Sequence, residues 1–481
     1  MGRGWPEVGE GWFMVPMRAQ KRKEAFHEPR LHRDNCLLQV QHRIVLASSW
    51  FRCAIVRSWK LPMKRQIFPI LGYQALTFVF ATDQPPKTNE PLKQEVYVWQ
   101  RTWNEPVRES IARHASQFTR LVALGAEITC KPTRRQVVRV AIDYTMLCAS
   151  KRPIGLALRI GTYPGPFESE DEAAMVVVEQ ALSLIAEARA NQLQPSELQI
   201  DFDCAESKLD GYRVWIEAIR RKVAPTPVTI TALPTWLNRT SFKRLITAAD
   251  GYVLQVHSFE RPKDAETPFA LCDPAVAQRA VERAGQLGVP FRVALPTYGY
   301  VTAFDRDGRF VGLSAEGPSK SWPEGVRLRE VRADPVALAR LVQSWTTDHP
   351  ASLAGIIWYR LPISEDFLNW RWPTLSAVMA GRGPRESLRV ETHRPQTALI
   401  EVSLVNDGDA DCSSFPVIAA RWENARLVAG DGLRGFELLE TGPTAAQFRR
   451  KSDHDRLSPG ERWKIGWLRL DKDAEAQVEI K

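Results

Sequence analysis

The chain has 481 residues, 44% of them hydrophobic and 9% aromatic, which is ample for packed cores and gives an expectation of about two to four domains. Its formal charge is +9, but residues 1–65 hold 13 Lys and Arg against 5 Asp and Glu, so the rest of the chain carries only +1. That balance excludes a strongly basic surface on the folded part and argues against a nucleic-acid partner.

Residues 1–62 mix Trp, Arg, Lys and Pro without a clear period and read as a basic extension, either spurious or disordered. Met63-Lys-Arg65 then gives a basic start, Ile67 to Phe80 an apolar run, and Val79-Phe-Ala81 a small-residue cleavage site. This is the layout of a secretory signal peptide over 63–81. Its apolar run is shorter than the ~20 residues of a spanning helix, so the expectation is a periplasmic or secreted protein with no stable membrane anchor. A long basic cytoplasmic tail ahead of an anchor is the alternative. A polar, proline-rich linker over 82–94 follows.

Of seven cysteines, Cys36 and Cys53 lie in the extension, and Cys130, Cys148, Cys204, Cys272 and Cys412 lie beyond it. There is no CxxC and no paired Cys/His spacing, so neither a metal site nor a cofactor is expected. Cys204 has no activating base beside it in sequence and reads as a packing residue.

From Glu95 onward, strand and helix patterns alternate. The strands are 95–103, 127–130, 154–160, 197–203, 228–233, 252–257, 291–295 and 353–359. Helical patterns lie at 104–124 and near 171–192, 208–222, 239–249, 274–287, 334–347 and 366–380. Segment 139–144 is open between strand and helix. Eight such strands over about 300 residues, with no Gly-rich phosphate loop after the first, predict an α/β fold of the (β/α)8 TIM-barrel type over 95–383.

Everything is placed relative to Glu197-Leu-Gln-Ile-Asp-Phe-Asp203. Residues two apart on a strand share a face, so Asp201 and Asp203 point into the barrel and Phe202 toward the covering helices. Two neighbouring carboxylates raise at least one pKa, which is how a general acid is made near neutral pH. A helix N-cap or a partner for a buried Arg is the other use of a strand-end Asp, and it stays open here. The remaining strand ends supply Gln100, Arg101, Arg159, Trp236, His257, Tyr298, Trp358, Tyr359 and Arg360. Sugars present flat C–H faces edged by hydroxyls, so a rim of acids, aromatics and a few bases suits a carbohydrate ligand. In the catalytic version Asp203 is the acid, Asp201 tunes it, Arg159 is the countercharge, and His257 and Tyr298 position substrate. Gln100, Arg101, Trp236, Trp358 and Tyr359 complete the expected binding surface.

Leu198-Gln-Ile-Asp-Phe-Asp203, with Ser207-Lys-Leu and Tyr212, resembles the signature of a bacterial exported family catalogued as domain of unknown function 3142. Tyr97-Val-Trp-Gln-Arg101, Leu158-Arg159 and Val256-His257-Ser-Phe resemble its other marks, over roughly 95–380. That family is similar in turn to glycoside-hydrolase barrels, distantly to the family-18 chitinases with their Asp-x-x-Asp-x-Asp-x-Glu run. If Asp201 and Asp203 take its last two Asp positions, Leu198 takes the first and Ala205 that of the catalytic Glu, with Glu206 one residue late. The resemblance thus implies the barrel more firmly than chitinase-type chemistry.

After the Gly381-Arg-Gly-Pro384 hinge, strand-like alternations separated by turn residues predict a small β-sandwich over 384–481. The Gly- and Pro-bearing loop 301–333 is long enough to be a lid over the mouth or a plain surface excursion. Two functions remain: glycosidic bond hydrolysis, or a non-catalytic glycan-binding or cell-envelope scaffold role.

Overall fold

The computed structural model describes residues 86–481 apart from 132–133, 169–170, 258–261, 316–321 and 452–454. The signal-peptide stretch 63–81 and the extension 1–62 lie outside the described residues.

Eight parallel strands close into a barrel: β1 (Lys93–Val98), β2 (Arg120–Lys131), β3 (Ile154–Ile160), β4 (Glu197–Phe202), β5 (Val228–Ala232), β6 (Gly251–Gln255), β7 (Phe291–Pro296) and β8 (Leu353–Tyr359). Closure is direct, because β1 pairs in parallel with both β8 and β2. Strands buried on both faces need apolar residues outward and compact or mutually paired groups inward, and β4 follows this rule. Leu198, Ile200 and Phe202 meet the helix Leu209–Val223, with Phe202 5.9 Å from the Trp215 ring and 5.1 Å from that of Tyr212.

Local signals set the covering helices. Asp273-Pro274 and Asp334-Pro335 each place an Asp whose carboxylate accepts from two backbone N–H groups of the next turn, with Pro at the first helical position. Asp171 does the same for the helix Glu172–Ala190, accepting from the Ala174 N–H at 2.6 Å.

Three segments differ from the sequence expectation. The helical pattern at 104–124 holds only over Glu105–His114 and a short 3-10 turn, and Leu121 belongs to β2. Arg120-Leu-Val-Ala-Leu124 is an apolar run of strand character, and its pairing with β1 and β3 prevails over the accidental helical spacing. Segment 139–144, open between strand and helix, is neither: it links the strand Arg134–Arg139, antiparallel to β2, to the helix Tyr144–Ala149. Loop 301–333 contains most of a three-stranded antiparallel sheet of Gly299–Phe304, Phe310–Ala315 and Arg327–Arg332, in which the first strand pairs with both others.

At the amino ends of the strands the barrel interior is ionic. Arg292 on β7 donates to Glu95 at 2.5 Å and to both oxygens of Glu197 at 2.8 and 2.7 Å. Thr229 donates to Glu197 at 3.0 Å, and Arg120 stands 3.2 Å from it. Burial alone would raise the Glu197 pKa, but Arg292 and Arg120 hold it below the ordinary carboxylate range.

Beyond the barrel, two four-stranded antiparallel sheets form the C-terminal sandwich. One is ordered 388–396, 399–406, 462–470, 427–432, and the other 436–442, 445–450, 418–422, 476–480. Between them Ile400, Val402, Leu404, Ile418, Phe448 and Ile465 make a core of their own. Polar contacts tie this unit to the barrel: Thr374 to the Asp409 carbonyl at 2.6 Å, Arg371 to Glu461 at 3.0 Å, and Arg332 to Asp411.

Candidate functional site

The carboxyl ends of the strands open onto a mouth built around one cross-strand row. Glu127 on β2 is in register with Arg159 on β3, and Arg159 with Asp201 on β4. Acid, base and acid therefore lie side by side on three adjacent strands, and Asp203 follows where β4 ends. Asp201 is buried, and one of its oxygens, Oδ1, accepts from Thr231 at 2.9 Å and from Gln255 at 3.2 Å. Asp203 is half-buried.

Burial raises the pKa of Asp201, with the Arg159 charge and the two donors acting against it. The pKa of Asp203 is pushed up to about 7, first by burial and then by the charge of Asp201, with Arg159 pulling it down. Two like charges this close cannot both ionise cheaply. The pair therefore resists giving up both of its protons.

Across the mouth lies a cluster of rings. Trp99 and Tyr97 are 5.1 Å apart, and Tyr359 is 5.4 Å from Trp99 and 5.8 Å from Tyr97. Tyr298 is 5.3 Å from Tyr359 and 5.7 Å from His257. His257 Nδ1 and the Tyr298 hydroxyl are 3.2 Å apart, and that hydroxyl is 3.0 Å from the hydroxyl of Tyr300. Burial pushes the His257 pKa down to about 4, so the ring is neutral at neutral pH. Its buried Nε2 has no hydrogen-bond partner among the described residues. Such a nitrogen can serve a hydroxyl as donor or acceptor.

Of the residues expected at the site, Asp201, Asp203, Arg159, His257, Tyr298 and Tyr359 come together. Arg101 reaches the mouth through Glu127, donating to it at 2.5 and 3.1 Å. Trp236 and Trp358 go elsewhere, and both are fully buried. Trp236 packs 6.0 Å from Phe242 of the helix Thr240–Ala248. Trp358 precedes Tyr359 on β8, so the two must face opposite ways, and its indole N–H donates to Gln94 at 2.7 Å. Gln100 lies past the end of β1, and its Nε2 donates to the Leu361 carbonyl at 2.9 Å. It ties two strand ends together instead of lining the mouth.

Glu127, Thr231, Gln255 and Tyr300 escaped the sequence analysis, and Tyr97 and Trp99 entered it as motif residues without a place at the site. The alternation that puts Glu95 inward also puts Tyr97 and Trp99 inward, and that signal was available. Gln255 closes β6 and Thr231 is next to last on β5, but the sequence patterns run those strands on to 257 and 233, so the tips were taken as His257 and Trp236 and both donors were missed. Glu206 pairs with Arg239, 2.7 Å from Nε, and turns away from the acid pair. Cys204 is buried and its thiol is pushed up to about 12 by burial, which suits a packing role. Among the described residues no three of His, Cys, Asp and Glu come together as a metal-ligand set.

No curated protein matches the sequence. Among solved structures, the chain is similar to a chitinase from Chromobacterium violaceum at 15% identity and TM-score 0.41, over 60% of this chain and 98% of that one. It is also similar to the spore cortex-lytic enzyme SleL of Bacillus cereus at 12% identity and TM-score 0.43, over 61% of this chain and 74% of that one. Residues 389–471, in the sandwich, match the model of the domain of unknown function DUF8456. Residues 152–364, which carry β3 to β8 and the acid pair, match the model of the domain of unknown function DUF3142, the family that the strand-end motifs resemble.

Proposed function

We propose that the mouth of the barrel binds a carbohydrate and hydrolyses a glycosidic bond, with Asp203 as the general acid. The observation that carries this is a half-buried carboxyl whose pKa is pushed up to about 7, held beside a buried partner acid and sharing the neighbour Arg159 with Tyr359 of the ring cluster. In the reaction, the Asp203 proton goes to the glycosidic oxygen as the bond from that oxygen to the anomeric carbon breaks. Water then adds to the anomeric carbon, and its proton returns to the Asp203 carboxylate. Half-buried Tyr359 offers ring surface to sugar C–H faces, with Trp99, His257 and Tyr298 packed against it. The basic start at Met63, the apolar run and Val79-Phe-Ala81 support reading 63–81 as an export signal, which would put this activity in the periplasm or outside the cell. Sequencing the N-terminus of protein recovered from its host should find a start near Thr82, and peptides from residues 1–60 would overturn export from Met63.

A binding-only role is favoured by a different observation. The other nearby acids are engaged: Glu127 by Arg101, Glu206 by Arg239, and Asp201 by Thr231 and Gln255. One experiment separates the two. A glycan-array and hydrolysis screen on residues 82–481 should find both binding and turnover, and Asp203→Asn should retain the fold and the binding while cutting turnover by ~10²–10⁴-fold. Binding without turnover in the unaltered protein would leave the scaffold role. Unfolding of Asp203→Asn would make the acid pair a buried structural node.

A further inference from the structure

Where two neighbouring acids resist ionising together, the chemistry depends on which of them holds a proton, and the surroundings of the two acids differ. Asp201 Oδ1 is the common acceptor for Thr231 at 2.9 Å and Gln255 at 3.2 Å, and all three side chains are buried. Asp203 has no such donors among the described residues. Gln255 turns its amide nitrogen to Asp201 and leaves its own buried Oε1 without a partner. Leaving a buried acceptor unpaired is unfavourable, and donation to a charged oxygen is the stronger kind of hydrogen bond that offsets it.

We propose that Thr231 and Gln255 are positioning residues that assign the pair's proton: by donating to one oxygen of Asp201 they keep Asp201 charged and leave the proton on Asp203. A donor hydrogen bond stabilises a carboxylate over its acid form. Two donors on one oxygen therefore bias the singly protonated pair toward a protonated Asp203. The other groups facing Asp201 are Arg159 from β3, which favours its charge, and Glu127 from β2, which opposes it. Tyr97 from β1 and Tyr212 from the helix after β4 are also near, and burial raises both phenols, so they stay neutral across the working range. Thr231 and Gln255 differ in acting on one member of the pair, through hydrogen bonds to a single oxygen of Asp201.

The proposal rests on the Asp203 acid role for its catalytic meaning, but its test does not need turnover. Aspartate carbon-13 NMR across pH, with Asp201→Asn and Asp203→Asn assigning the two carboxyls, reads where the proton resides. In the unaltered protein the upper titration step should appear on Asp203. In Thr231→Val, which keeps the side chain's shape and loses only the hydroxyl, more of that step should move to Asp201, and more of the Asp203 signal should titrate in the lower step. Thr231→Ser should restore the original distribution, and Gln255→Leu should shift it in the same direction as Thr231→Val. If hydrolysis is found, the fraction of active enzyme near pH 6 should drop several-fold in Thr231→Val with KM little changed. An upper step that stays on Asp203 in both Thr231→Val and Gln255→Leu overturns the proposal, whether or not the protein turns over a glycan. Should Thr231→Val fail to fold, Gln255→Leu alone carries the same two outcomes.

Discussion

Asp203 faces two demands: a proton kept near neutral pH and a charge poorly solvated above it. Its pKa is pushed up to about 7 by burial first and by Asp201 second. Asp201→Asn removes the second cause, so Asp203 should titrate at a lower pH, read as a shift in the basic limb of a kcat/KM profile or directly by NMR. The same shift affects stability. An unfolded Asp gives up its proton near the ordinary value, so between there and about pH 7 the folded state holds more protons than the unfolded one and stability falls as pH rises. Asp203→Asn should therefore raise the melting temperature at pH 8 and have little effect near pH 4. The inward direction of Asp201 and the outward direction of Phe202 were legible in sequence because strand alternation leaves no choice. The donors to Asp201 were not legible, since Thr231 and Gln255 come from strands whose stagger around the barrel no linear pattern encodes.

At the level of elements, β8 and β1 show where a strand-end rule fails. Taking the last residues of a strand as the site treats Trp358 and Tyr359 alike, though one faces the helices and the other the mouth. The structure gives the two kinds of Trp separate consequences. Trp236→Phe, in the packing against Phe242, should lower the melting temperature and leave glycan affinity unchanged. Trp99→Phe, among the mouth rings, should weaken glycan binding by roughly tenfold, within the range of a lost aromatic contact. Isothermal titration paired with thermal melts checks both, and equal effects of the two substitutions on affinity would mean that the rings of the mouth do not face ligand. β2 was misread for a related reason: its apolar spacing fits a helix locally, and only pairing with β1 and β3 reveals a strand.

For the whole molecule, the eight-strand count, the sandwich and their order were legible because βα alternation and turn spacing repeat many times. The ionic interior was not, since Glu95, Glu197 and Arg292 are 197 or fewer residues apart and meet only when the barrel closes. Arg292→Met would leave two buried carboxylates with only Arg120 nearby, and losing one partner of a buried pair costs about 3–5 kcal/mol, readable as a lower urea midpoint. Because the folded pKa of Glu197 is depressed, its share of the stability is present above the ordinary carboxylate value and is lost as pH falls through the folded one. The segment 381–387 is the proposed boundary between barrel and sandwich, and limited proteolysis there should release a barrel-sized fragment, more readily in high salt because charged contacts such as Arg371–Glu461 are screened.

The same Arg292 cluster also bears on traffic. With Glu95, Arg120, Thr229 and Glu197 gathered around it, paired charge fills the barrel interior at the amino ends. Under the proposed hydrolysis a released sugar would clear the same mouth that the next chain needs, so product should inhibit in competition with substrate.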